Sequence, residues 1–277
     1  MSFSPVLVGS GYTGWLFLKR TMETQQTVAE ADPALKRDEA YFRENIGKVT
    51  TAEELVSDRR LLRVALGAFG LDDDINSSFF IRKVLEDGTT DSAALARKLA
   101  DKQYAKLSAA FGFGDAETSY NQMDGFADKV IEAYKTRQFE ISVGETDDSM
   151  RLALNAEREL ADIASGGGSN DAKWFTVMGS EPLRSVFETA LGLPTGFGLL
   201  DIDKQLEMLR SKTEALLGDG EITQFAEPEQ MEKLIRRFML RTEASQGYSL
   251  STPGAGALQL LQSGGTAASL LSTLYSG

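Results

Sequence analysis

Three groups of residues in this chain have types and spacings that could carry chemistry. Gly9, Gly11 and Gly14, within PVLVGSGYTGWLFLKR, spell G-x-G-x-x-G between a short apolar run and a helix-like segment. That is the outline of a turn that sets a dinucleotide pyrophosphate on a helix N-terminus. Asp72, Asp74 and Asn76, in LDDDINSSFFIRK, fill the first three alternating ligand positions of a calcium loop. The neighbouring acids Glu157 and Glu159, and Asp201 and Asp203, could serve as general acid and base.

The surroundings of each pattern argue against the chemistry. A dinucleotide turn needs a buried strand before it, a second strand after the helix, and an acid at that strand's end to hold the ribose. Val6, Leu7 and Val8 make a thin first strand, and the residues after Gly14 are rich in Ala, Glu, Lys, Arg and Gln at helical spacing. Glu30 and Asp32 stand near the ribose-binding distance, but Asp32-Pro33 reads as an N-cap followed by proline at the first helical position. The glycines are therefore expected to form the hinge of a flexible leader over residues 1–13. The calcium loop has Ser77 where glycine makes the turn and Lys83 where a bidentate Glu is required. Its acids suit the N-terminus of a helix containing Phe79 to Leu85. Acidic pairs are expected in a chain with 41 Asp and Glu, and solvated helix faces explain them.

Composition narrows the chemistry further. The 277 residues contain no cysteine, which excludes disulfides, thiolate nucleophiles and sulfur-built metal sites. They contain no histidine, which excludes a Ser-His-Asp triad and imidazole ligands. Carboxylate pairs, Ser-Lys pairs and Mg²⁺ sites remain chemically open. The formal net charge of -12 opposes binding to a phosphate backbone, so no nucleic-acid partner is expected. No apolar run of about 18 residues is present, and no membrane span or ordinary secretory signal is expected.

The elements that would position any site are helices. TTAEELVSDRRLLRVALGAFG opens with Thr51 and Glu54 at capping-box spacing and continues in a broad apolar stripe from Leu61 to Phe69. INSSFFIRKVLEDG and DSAALARKLADKQYAKLSAAFGF follow as shorter helices, with Asp91 placed to cap the second and Gly112 to end it. From about 122 to 165 apolar residues recur every three or four positions, which predicts one long connecting helix. FEISVG alternates like a strand, but Phe139 and Val143 are one helical turn apart and no partner strand is available.

An internal similarity organises these helices. DRRLLRVALGAFGL (58–71) aligns with SEPLRSVFETALGL (180–193), matching Leu61, Val64, Ala68, Gly70 and Leu71 to Leu183, Val186, Ala190, Gly192 and Leu193. FIRKVLE then lies over LDIDKQLE, pairing Ile81 and Leu85 with Ile202 and Leu206. The expected architecture is an all-α bundle over residues 14–244, built from two degenerate three-helix repeats, about 50–113 and 179–240, joined by the long helix.

Three stretches carry a family resemblance: YFRENIGKVTTAEELVSDRRLLRVALGAFGLDDDINSSFFIRKVLEDG (41–88), RQFEISVGETDDSMRLALNAERELADIA (137–164) and GSEPLRSVFETALGLPTGFGLLDIDKQLEMLRSK (179–212). Over about residues 12–243 the chain resembles the uncharacterised proteins of flagellar gene clusters in alphaproteobacteria, grouped as domain of unknown function 1217. The resemblance implies a flagellar setting; it carries over no activity and no functional residues.

Candidate partner-binding residues lie at both ends. Core packing accounts for Trp15, Phe17, Phe42 and Trp174, yet Trp15 and Phe17, at the head of the body, could instead face a partner. After Glu243 the chain loses almost every charge and turns to Gly, Ser, Thr and Ala, an expected flexible tail over 245–277. Its leucines, among them Leu258, Leu261, Leu270 and Leu274, form two clusters that could dock in a groove once helical. The expectation is a non-enzymatic structural or assembly protein with flagellar or secretion-apparatus partners, needing no cofactor or metal and located at the flagellum or exported by its apparatus. A cytoplasmic binding, regulatory or chaperone-like module for flagellar subunits is the alternative, and an enzyme using carboxylates or a Ser-Lys pair ranks after both.

Overall fold

The computed structural model describes residues 3–247, with side chains to 245. Among these residues there are thirteen α-helices and no strand, and the fold is all-α. The first, α1 (Gly11–Glu30), is followed by α2 (Pro33–Asn45), whose N-cap Asp32 accepts from the Ala34 amide at 2.7 Å. Then come α3 (Ala52–Ser57), α4 (Arg59–Phe69), α5 (Ser78–Asp87), α6 (Leu95–Lys98) and α7 (Gln103–Phe111). The second half holds α8 (Phe126–Gly144), α9 (Asp148–Ser165), α10 (Asn170–Gly179), α11 (Glu181–Leu191), α12 (Ile202–Leu217) and α13 (Pro228–Gly247).

Three expected helices are divided by side chains that cap from within. The segment starting at Thr51 breaks at Asp58, whose carboxylate accepts from the Arg60 and Leu61 amides and starts α4 afresh. The segment after Asp91 breaks between α6 and α7, where Lys102 Nζ donates to the Arg97 and Leu99 carbonyls and Asp101 accepts from the Gln103 amide. The long helix over 122–165 is two helices, α8 and α9. Asp147 accepts from the Ser149 and Met150 amides at 2.9 and 3.3 Å, and the chain reverses there. FEISVG is the end of α8.

The reversal matters because α8 and α9 pack antiparallel and α8 spans two hydrophobic cores. One core gathers Phe42, Leu55, Leu61, Leu62, Ile81, Leu107 and Phe111, and takes Val130, Ile131 and Tyr134 from the first part of α8. The other gathers Trp15, Leu18, Leu160, Trp174, Phe187, Phe225 and Phe238, and takes Phe139 and Val143 from the last part. In the second, Trp174, Phe187 and Phe225 stack edge to face with centroids 5.1 and 5.6 Å apart. Helix α1 belongs to this second core although it comes first in the chain.

The boundary expected at residue 14 lies at Gly11, and the segment before it is hydrogen-bonded to the body. The Val6 amide donates to Gln25 Oε1 at 2.8 Å and Gln25 Nε2 donates back to the Val6 carbonyl at 3.0 Å. The Phe3 amide donates to Asp32, and the Phe3 ring lies 6.0 Å from that of Phe139. A run that reads as a leader thus completes the second core, because Gln25 supplies its backbone with the partners a strand would have given.

Candidate contact surface and buried ionic seam

The glycine motif is explained by close packing. Gly9 takes φ +83°, and a Cβ on Gly14 would sit 2.7 Å from the Gly9 carbonyl oxygen and 2.6 Å from Met150 Cε. The turn folds back on itself at a helix start. A Cβ on Gly11 would overlap the Glu243 carboxylate of α13. The N-terminus of α1 therefore faces a carboxylate at the place where a dinucleotide turn would present its pyrophosphate.

Trp15 and Phe17 have different fates because two residues rotate a helix by about 200°. Trp15 is fully buried, with Lys19 Nζ lying 5.5 Å from its ring centroid, so it is a core residue and leaves the set of partner-facing candidates. Phe17 is half-buried beside Arg20, and Leu16 is exposed. Phe42 and Trp174 are core residues. Leu258, Leu261, Leu270 and Leu274 lie outside the described residues.

The acids singled out for chemistry are dispersed and engaged. Asp72 accepts from Gln138, and Asp74 accepts from the Tyr104 hydroxyl at 2.5 Å. No group of three or more carboxylates among the described residues is arranged to hold a metal ion. Asp201 caps α12 through the Asp203 amide, and both acids are exposed. Glu157 and Glu159 point away from each other across α9. Glu157 pairs with Lys19 at 2.6 Å, and burial pushes its carboxyl up against the pull of that lysine.

Glu159 lies in a buried seam between the two cores. Its Oε1 accepts from Arg137 of α8 at 3.0 Å, Gln103 of α7 at 2.6 Å and Arg158 of its own helix at 3.3 Å. Arg158 also grips Glu140 with two bonds of 2.8 Å, and Arg137 Nε donates to the Ala68 carbonyl of α4 at 3.0 Å. Burial alone would raise the Glu159 carboxyl, but Arg158 and Arg137 outweigh it and hold it below the ordinary carboxylate range. An open depression of about 690 Å³ lies over the seam, lined by both arginines with Lys106, Lys129 and Asp162. The guanidiniums beneath it are already bound to carboxylates. The geometry joins four helices, and no spacing within one helix marks it: Arg137 and Glu140, one turn apart on α8, each bond to α9 and not to each other.

The aligned segments meet the same end. Gly70 stops α4 at φ +71° and Gly192 stops α11 at φ +64°, with Leu71 and Leu193 donating back to Leu66 and Glu188 at 3.0 and 2.9 Å. Beside each stop an arginine reaches an alanine carbonyl: Arg137 to Ala68, and Arg237 of α13 to Ala190 at 3.3 Å. The match then lapses, since Ile81 is fully buried whereas Ile202 is 48% exposed, and Gln205 and Leu209 face inward instead. Near the start of the second helix of each segment a large apolar side chain stands in solvent, Phe79 in the first turn of α5 at 75% exposure and Leu199 three residues before α12 at 92%, although the alignment sets Phe79 over the half-buried Leu200.

Residues 68–231 match the model of the family described as protein of unknown function DUF1217. The chain belongs to this family. It is similar to the X-ray structure of a structural-genomics target protein from Agrobacterium tumefaciens, with 29% identity and a TM-score of 0.72 over 87% of this chain and 97% of that one. No curated protein matches this DUF1217 chain. No helix among the described residues is long and apolar enough to cross a membrane.

Proposed function

We propose that this DUF1217 protein is a non-enzymatic module that works through protein contacts in the structure or assembly of the flagellum. The observation that carries the contact role is the pair Phe79 and Leu199, two large side chains left in solvent near the start of the second helix of each aligned segment. An isolated exposed apolar residue needs no explanation, but these are the two most exposed large apolar side chains among the described residues, and such surface is what a partner would cover. The seam favours the same reading: its buried acids are bound by arginines of neighbouring helices and hold the two cores together. The flagellar setting rests on the sequence resemblance, which also makes flagellar or secretion-apparatus proteins the partners to seek.

The test is fractionation of motile cells into cytoplasm, basal body and culture medium, with the chain detected in each. Basal-body or medium recovery, and loss of motility on deletion, is the expected result. Recovery only in the cytosol with motility unchanged would end the flagellar reading. Cytosolic recovery with a flagellar subunit co-purifying would move the protein to a chaperone-like role. Phe79→Ser combined with Leu199→Ser should remove the co-purifying partner in either case.

A further inference from the structure

A second surface has a chemistry of its own. Between α1, α2 and α8 runs a groove of about 410 Å³, a volume in the range of formed binding clefts. Ala29 and Phe139 are buried beneath it, and Leu35 and Ile141, the latter 36% exposed, supply its accessible apolar surface. Around them stand five carboxylates, Glu30, Asp32, Asp38, Glu132 and Glu145, and one lining cation, Lys135, while Asp38 also lies 3.8 Å from both Arg60 and Arg63 behind the groove. Lys135 is already bound to Glu30 at 2.8 Å and Glu132 at 3.2 Å. No ion pair of Glu145 is present among the described residues.

We propose that this groove docks a basic amphipathic helix of a partner protein. A short apolar strip at Leu35 and Ile141 within an acidic rim complements a helix with leucine-like residues on one face and lysine or arginine along its flanks. Nucleic acid and anionic lipid are repelled by the same rim. The charge also decides between nearer occupants. Residues 245–277 contain no lysine or arginine, so the chain's own tail lacks the complementary charge, and a second copy brings a net charge of -12. The proposal rests on the protein-contact reading and names a partner chemistry for a surface separate from Phe79 and Leu199.

The probe is a labelled Lys/Leu amphipathic peptide of about 18 residues, titrated with the full chain at low and high salt and followed by fluorescence anisotropy. A Glu/Leu peptide of the same pattern and a Lys/Ser peptide lacking the apolar face serve as controls. The Lys/Leu peptide should bind, and both controls should bind at least about tenfold more weakly. Glu145→Lys should weaken binding about three- to tenfold at low salt and less at high salt. Ile141→Ser should weaken it by a similar factor at both salt concentrations. Equal binding of the Lys/Ser peptide, or binding that neither variant changes, would overturn the groove. So would absence of Lys/Leu binding. If the partner is still captured through Phe79 and Leu199, only the groove has failed, and the contact role stands.

Discussion

The turn at Gly70 and the turn at Gly192 obey one local rule and sit in different surroundings. Each ends an amphipathic helix with a left-handed glycine, a following leucine that bonds back, and an arginine on an alanine carbonyl. At the first turn Arg137 is 14% exposed and bound to Glu159, which ties α4, α7, α8 and α9 together. At the second, Arg237 is half-buried and has no carboxylate partner among the described residues. The difference shows that a helix stop is written locally, whereas the energetic weight of the arginine beside it depends on a helix brought from elsewhere in the chain.

That difference sets the largest expected effect. Glu159→Ala leaves Arg137 and Arg158 sharing a buried space with one carboxylate fewer, and should cost about 3–5 kcal/mol. Arg237→Ala removes one hydrogen bond to a carbonyl and should cost about 1 kcal/mol. Urea denaturation of the two variants checks the contrast, and equal losses would mean that the seam has no special weight. Acid sharpens it. The Glu159 carboxyl is held below its unfolded value, so its contribution is present above about pH 4.3 and is lost as pH falls through the depressed folded value. The acid-induced part of the unfolding transition should therefore shrink in Glu159→Ala and stay unchanged in Arg237→Ala.

The glycines come next. Both have φ in the left-handed region, so alanine at either position is strained. A Cβ on Gly70 would also run into the Arg137 guanidinium, which Glu159 and Ala68 hold in place; a Cβ on Gly192 would meet Arg241, an exposed side chain. Gly70→Ala should cost about 2–3 kcal/mol and Gly192→Ala about 1–2 kcal/mol. Thermal melts that reverse this order would show that Arg137 can move and that the seam is looser than its hydrogen bonds imply.

These turns were also the part of the fold most legible in the sequence. A Gly-Leu pair after an apolar stripe marks a stop whatever the tertiary setting, and the Asp32-Pro33 start of α2 is equally local. The helix breaks at Asp58 and Asp147 were less legible, because an aspartate inside an apolar period reads as one more exposed position until its carboxylate is seen to cap the next turn. The leader misled for the opposite reason: Gly9 to Gly14 look loose, and only Gln25, in a different part of α1, shows why the backbone of Val6 is held. Proximity in the sequence groups Trp15 with Phe17, and helical rotation separates them. The seam was hidden because its members come from four helices.

A smaller contrast concerns how each half links its helices. In the first, Asp115 gathers the amides and hydroxyls of Thr89 and Thr90, with bonds of 2.7 to 2.9 Å and a shorter one from the Thr90 hydroxyl. Burial would raise this carboxyl, but the Thr90 and Thr89 bonds overcome it and bring it down to about 2. In the second half Arg210 pairs with Asp171 at 2.7 Å and with Glu221, in side chains 29 to 53% exposed. Asp115→Ala should cost about 1–2 kcal/mol by stranding the two amides, and Arg210→Ala less than about 1 kcal/mol. For Asp115 the contribution is complete above its unfolded value near 3.9 and disappears as pH falls toward 2, so the gap between the variants should close in strong acid.

The smallest effect on stability belongs to the residues assigned the contact role. Phe79 and Leu199 bury little of their side chains, so exchanging either for serine removes almost no transfer free energy from the fold. Phe79 has one additional neighbour, Arg82, whose guanidinium lies 5.7 Å from its ring centroid at an exposed site. Phe79→Ser should therefore lower stability by at most about 0.5 kcal/mol, and Leu199→Ser should leave it unchanged within error. Urea midpoints measured alongside partner capture decide the matter. Capture lost with the midpoint intact assigns these side chains to an interface. A midpoint that falls by as much as in the glycine variants would mean that they stabilise the fold itself, and the pair would then no longer support a contact surface.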